Sequence, residues 1–143
     1  HTLYTSMSTA DEIPFWKVAD GKAGRISLLD YIASVLAAGS DVTTIASSAT
    51  PQPDIGTTKT YIITALAANA SMLAPSGSPS EAQVLIYRIK DNGGARTLSW
   101  ASAFRGIGLT LPATTVAGKW MYLGFMYNAT DGKWDMIALA QQT

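Results

Sequence analysis

Asp91, Asn92 and Arg96 surround one expected turn, and Asn128 and Asp131 surround another. Carboxylates, amides and a guanidinium on turns can hydrogen-bond a ligand's hydroxyls, and loops are where recognition groups concentrate. The same residue types also serve simply as turn formers. Catalysis is harder to assemble. A glycosidase needs two facing carboxylates, one with a raised pKa. Glu12 and Glu81 are the only glutamates, and nearly all eight aspartates fall in turn or cap contexts, Asp20, Asp30, Asp91 and Asp131 among them. His1 is the only histidine and cysteine is absent. A thiolate nucleophile, a disulfide framework and a zinc-cysteine site are thereby excluded, and a histidine at the terminus argues against a Ser-His-Asp triad. No D-x-D-x-D-G calcium loop occurs, and Gly93-Gly94 and Gly106-Ile107-Gly108 lack the lysine and strand-to-helix setting of a nucleotide loop. No catalytic residue, metal site or cofactor is expected.

Four tryptophans and six tyrosines invite a sugar-stacking reading. Trp100 and Trp134 sit in regular strand patterns, where core packing is the commoner role. Phe15 and Trp16 lie in an edge-like segment suited to packing on a neighbouring chain. Arg88 and Lys90 are expected to pair across strands with Asp135 or Glu81.

These residues are carried by 143 residues with 48% apolar and only 14% charged side chains, at zero formal net charge. That length suits one domain, or one domain with a small appended segment. Its charge is far below the roughly 25% usual for soluble domains, so either a monomer keeps an unusually bland surface or part of it is covered by other chains. The apolar content excludes intrinsic disorder. No run approaches the roughly 18 apolar residues of a membrane span, so no membrane insertion is expected. Zero net charge without a basic cluster argues against nucleic acid. His1 in place of Met reads most simply as a tag remnant, with a processed terminus as the alternative, and no signal-peptide pattern follows it.

Three stretches emerge along the chain. Residues 1–39 read as an anchoring or oligomerisation segment of strand, turn and helix. Pro14 restricts the strand around Phe15 and Trp16 to an edge. Ser27 and Asp30 resemble a capping box, Gly39 supplies the stop, and Leu28, Leu29, Ile32, Val35 and Leu36 recur at helical spacing between them. That helix, over 28–38, either packs on copies of itself or docks on its own domain. Residues 40–58 have the Ser/Thr/Pro-rich composition of a linker. Residues 59–143 read as β throughout. One hairpin is expected over 83–100 across Asp91-Asn92-Gly93-Gly94, and a second pairs 119–127 with 133–140. The expected architecture is mainly β, a small antiparallel, jelly-roll-like β-sandwich. Its strands are apolar on both faces: Val84 and Ile86 alternate with Leu85, Tyr87 and Ile89, and Tyr122 and Met126 alternate with Met121, Leu123 and Phe125. A lone antiparallel sandwich keeps its outer face polar, so neighbouring subunits are the simplest cover.

Several stretches resemble a β-domain of bacteriophage tail-fibre and other virion structural proteins. They are Met72-Leu73-Ala74-Pro75-Ser76-Gly77-Ser78-Pro79, Gln83 through Gly93, Arg96-Thr97-Leu98-Ser99-Trp100 and Lys133-Trp134-Asp135. Asp11 through Trp16 and Arg25 through Asp30 resemble segments of phage fibre proteins as well. The resemblance implies a homotrimeric virion appendage, often one that binds the host, and it transfers no catalytic residues. The expectation is a non-enzymatic, fibre-like or receptor-binding virion protein. It would contact other virion proteins and a host surface carbohydrate. The alternative is a purely structural capsid-decorating or baseplate-linking component.

Overall fold

The computed structural model describes residues 41–143, together with the backbone of 12–16 and 23–27. The chain divides into two units, His1–Ser40 and Asp41–Thr143. In the first, β1 (Glu12–Trp16) pairs antiparallel with β2 (Ala23–Ser27), with Pro14 opposite Arg25. A two-stranded ladder consists only of edges, so it accommodates a proline that a central strand would reject. The expected helix over 28–38, with Leu28, Leu29, Ile32, Val35 and Leu36, lies outside the described residues, as do the side chains of Phe15 and Trp16.

The second unit contains β3 (Val42–Ile45), β4 (Thr60–Leu66), β5 (Ala70–Met72), β6 (Val84–Asp91), β7 (Leu98–Trp100), β8 (Phe104–Gly106), β9 (Met121–Asn128) and β10 (Lys133–Gln141), with no helix among the described residues. Six of these form one sheet in the order β3-β4-β6-β9-β10-β8, while β5 and β7 form a separate ladder. The protein is mainly β, as expected, and the small ladder layered on the six-stranded sheet gives a sandwich-like arrangement. Its pairing is mixed rather than antiparallel. β3, β4 and β6 run parallel, β6, β9 and β10 antiparallel, and β8 parallel to β10.

Two expectations are corrected. The hairpin over 83–100 does not form, because β6 is already hydrogen-bonded to β4 on one side and β9 on the other. The turn exists, with Gly93 at φ +101° and its N–H donating to Asp91 Oδ1. The returning strand β7 has no free edge of β6 to join and pairs parallel with β5 instead. A turn signature specifies a reversal, not the partner that follows it.

The second correction concerns 40–58, whose composition reads as a linker. From Asp41 onward it belongs to the packed unit. It supplies β3, and Pro51, Ile55 and Thr58 are buried. Its backbone is tied to the next layer by Ser71 N–H donating to the Ala49 carbonyl, Leu73 N–H to Pro51 and Ile55 N–H to Ser76. Prolines and hydroxyl residues here satisfy an extended path along a neighbour rather than a free tether.

The expected hairpin of 119–127 with 133–140 is present as β9 and β10, from Lys133 opposite Asn128 to Gln141 opposite Met121. Period-two alternation builds the core from one face of each strand. Tyr61 and Ile63, Leu85, Tyr87 and Ile89, and Met121, Leu123 and Phe125 pack against Met72, Leu98 and Phe104. Tyr87 is its aromatic centre, with Tyr61, Trp100, Phe104 and Phe125 all edge-on at 5.8–6.1 Å. Trp100 and Trp134 both belong to this interior, and the Trp100 indole N–H donates to the Pro112 carbonyl.

Tyr87 carries a cost. Its hydroxyl is buried with no hydrogen-bond partner among the described residues, and burial, with Tyr61 adding, pushes the phenol above its ordinary pKa. Tyr87→Phe is therefore expected to leave stability unchanged or raise it by up to about 1 kcal/mol, as read by urea denaturation. A loss of more than about 1 kcal/mol would reveal a bonded hydroxyl.

Candidate binding surface

The two candidate turns lie at opposite ends of the sheet. β6 and β9 are antiparallel, with Ile89 opposite Met121 and Val84 opposite Met126. The end of β6 at Asp91 therefore neighbours the start of β9, while Asn128 lies at the far end. No single site contains all five residues.

Asp91 is committed to the fold. It is 1% exposed. Its Oδ1 accepts from Gly93 N–H at 2.9 Å and Gly118 N–H at 2.6 Å, and its Oδ2 accepts from Thr115 Oγ1 at 2.6 Å. Burial pushes the carboxyl up, but these bonds and nearby Arg96 outweigh it and hold its pKa below the ordinary value. It cannot face a ligand, which corrects its placement among the binding candidates. Asn92 and Arg96 do meet at this end, Arg96 Nη2 donating to Asn92 Oδ1 at 2.8 Å on the surface.

At the far end, Asn128 Oδ1 accepts the Asp131 N–H at 3.0 Å, closing the β9–β10 turn. Asp131 Oδ2 also receives Arg105 Nη2, and the same guanidinium grips Asp135 through Nε at 2.7 Å and Nη2 at 3.0 Å. The fork's hydrogen bonds hold the Asp135 carboxyl below its ordinary pKa. Beside it lies an open cleft of about 230 Å³ lined by Glu81, Ile107, Met126, Tyr127, Asn128, Asp135 and Ile137. Glu81 Oε2 is taken by the Ala129 N–H. A carboxylic acid held protonated would suit acid catalysis, yet among the described residues the carboxyls with resolved shifts, Asp91 and Asp135, both move down. No cluster of metal-ligating side chains occurs among the described residues.

The cation pairing expected from the sequence is not made. Asp135 belongs to Arg105 and Glu81 to a backbone amide, so Arg88 and Lys90 have no carboxylate partner among the described residues. They lie instead on the open face of the sheet. The strand registers place Val84 beside Met126, then Val42, Thr60, Ile86, Gly124 and Ala138 in one row across five strands. The following row contains Thr44, Ile62, Arg88, Tyr122 and Ala140. One half of this face is thus apolar, with Val84 40%, Ile86 38% and Met126 38% exposed. The other half is basic and aromatic. Arg88 Cζ lies 5.0 Å from the Trp120 ring centroid and 5.1 Å from that of Tyr122, and Lys90 Nζ lies 5.7 Å from Trp120. Alternation predicts both apolar faces, but Trp120 as a shelf for Arg88 depends on cross-strand register and carries no local sequence signal.

No protein-family model matches the chain, and no curated protein or solved structure matches it either. No helix among the described residues is long and apolar enough to cross a membrane.

Proposed function

We propose that this chain is a non-enzymatic phage virion protein, a fibre-like appendage that assembles as a homotrimer and attaches to the host surface. The observation that supports assembly is the apolar half of the open face. The row Val42, Thr60, Ile86, Gly124 and Ala138 contains no charged residue, and Gly124 and Ala138 keep it flat. Exposed apolar surface of this kind is unfavourable in water and is stabilised by burial against another chain. A second copy fits because the chain as a whole is poor in charge, at 14%. The number three comes from the resemblance to fibre proteins over residues 72–79, 83–93, 96–100 and 133–135. Attachment then works by multivalency, weak contacts at identical subunits giving an avidity gain of about 10²–10⁴.

Light scattering at micromolar concentration tests the assembly. The chain is expected to show three times its single-chain mass, and Ile86→Glu to show one, with unchanged circular dichroism. A single-chain mass for the unaltered protein would overturn the reading. For attachment, labelled protein is expected to bind bacterial cells at least tenfold more tightly than Ile86→Glu. Equal binding by the two would remove multivalency from the mechanism.

A further inference from the structure

We infer that Arg88, Lys90, Trp120 and Tyr122 form a binding site for an anionic surface glycan, with the guanidinium and ammonium receiving its carboxylate or phosphodiester group. This deepens the attachment reading by naming the chemistry of its ligand. The Arg88 guanidinium is the centre of the site. It is held within about 5 Å of two aromatic rings, the range of a cation–π contact. Ring contacts orient a guanidinium but accept none of its N–H donors in plane. Neither Arg88 nor Lys90 donates to any protein acceptor among the described residues, and the Arg88 Nε is buried with no partner. The terminal nitrogens of a guanidinium fixed in orientation match a carboxylate or phosphate in bidentate geometry, while the buried Nε stays out of a ligand's reach. Lys90, next along the same face of β6, adds a second positive charge beside Trp120.

The shape of the surroundings selects a saccharide as carrier. The site is on an open sheet face rather than in a cavity, so an extended chain can lie across it. Tyr122, 40% exposed, offers an accessible aromatic ring edged by a hydroxyl. Thr44 lies in the same row, adding a hydroxyl that can bond a sugar's own. Two cations in a chain of zero net charge are too few to follow a nucleic-acid backbone.

Titration of the full chain, followed by tryptophan fluorescence, tests the site. The probes are trigalacturonate, its methyl ester, an oligomer of glycerol phosphate, and inorganic phosphate alone. Saturable binding of trigalacturonate or of the phosphate oligomer supports the proposal and distinguishes the two anion sources. The methyl ester is expected to bind at least tenfold more weakly than the acid if carboxylate is read. Arg88→Gln is expected to lose at least tenfold, and Lys90→Gln three- to tenfold. Trp120→Ala, which removes the shelf under the guanidinium, is expected to weaken binding at least threefold by isothermal calorimetry. Lys59→Gln, an exposed lysine paired with Asp41, is expected to bind normally. The proposal is overturned by no binding of either anionic oligomer at millimolar concentration, by unweakened binding in Arg88→Gln, or by inorganic phosphate binding as tightly as the oligomers. Cell binding separates this from the attachment reading. Glycan binding without cell binding overturns attachment alone, and cell binding unaffected by Arg88→Gln overturns this site as the means of attachment.

Discussion

Asp91→Ala is expected to destabilise the 41–143 unit by about 3 kcal/mol. The carboxylate accepts from Gly93, Gly118 and Thr115; the Thr115 bond is buried and the two glycine bonds are partly so. Hydrogen bonds to a charged group contribute about 1.5–3 kcal/mol each, and a donor left buried without a partner adds its desolvation cost. The three bonds also do topological work. They tie the end of β6 to the 115–118 segment that leads into β9, closing the space between strands that no hairpin joins. Asp91→Asn retains one acceptor oxygen and is expected to lose less. Urea denaturation of the two variants provides the measurement; a loss below about 1 kcal/mol for the alanine variant would show that the network contributes little.

A pH dependence follows from the same carboxyl. Its folded pKa lies below the unfolded value of about 3.9, so the folded state favours the charged form. The stability it contributes is fully present above pH ~4 and is lost as the pH falls through the lower, folded pKa. Asp135, held down by Arg105, acts in the same direction. In Asp91→Asn the decline of stability with acidification is expected to be shallower than in the parent, while the two curves run parallel above pH ~5. Parallel curves throughout the acid range would remove Asp91 from the acid transition.

Gly106→Ala is expected to cost about 3 kcal/mol and to displace the loop beside the cleft. A Cβ at Gly106 would stand 2.0 Å from the Leu109 carbonyl oxygen and 3.2 Å from its carbon. Backbone cannot rotate aside as a long side chain can, so the 107–109 segment must move or β8 must leave its place opposite Met136. Ile107, which lines the cleft with Met126 and Ile137, would move with it. Amide chemical-shift changes concentrated at 104–111, with a lowered denaturation midpoint, are the expected readout. By contrast, Gly108→Ala meets no atom within 4 Å and is opposed only by its φ of +65°, a cost of about 1 kcal/mol. Equal losses for the two glycines would mean that close approach is not what selects Gly106.

The β character of residues 60–66, 84–91, 121–128 and 133–141 was legible because β-branched and aromatic alternation is a local property. The β9–β10 hairpin was legible for the same reason, its turn and both strands being adjacent in sequence. The parallel neighbours of β6 were not, because pairing across dozens of residues is decided by which edges remain free. The site divides in the same way. Asn92–Arg96 and Asn128–Asp131 are local pairs that turn composition anticipates. The capture of Asp91 by Thr115 and Gly118, and the seating of Arg88 on Trp120 and Tyr122, are made by residues distant in sequence.

By itself, the sequence determined a mainly β chain, poor in charge, whose strands carry apolar residues on both faces, since these follow from composition and a period of two. Only the tertiary structure decided that residues 41–58 are part of the packed unit and that the sheet is mixed. It alone divided the open face into an apolar half and a basic-aromatic half. The physical reason is register: alternation assigns each side chain to a face, but its neighbours on that face are set by how the strands align.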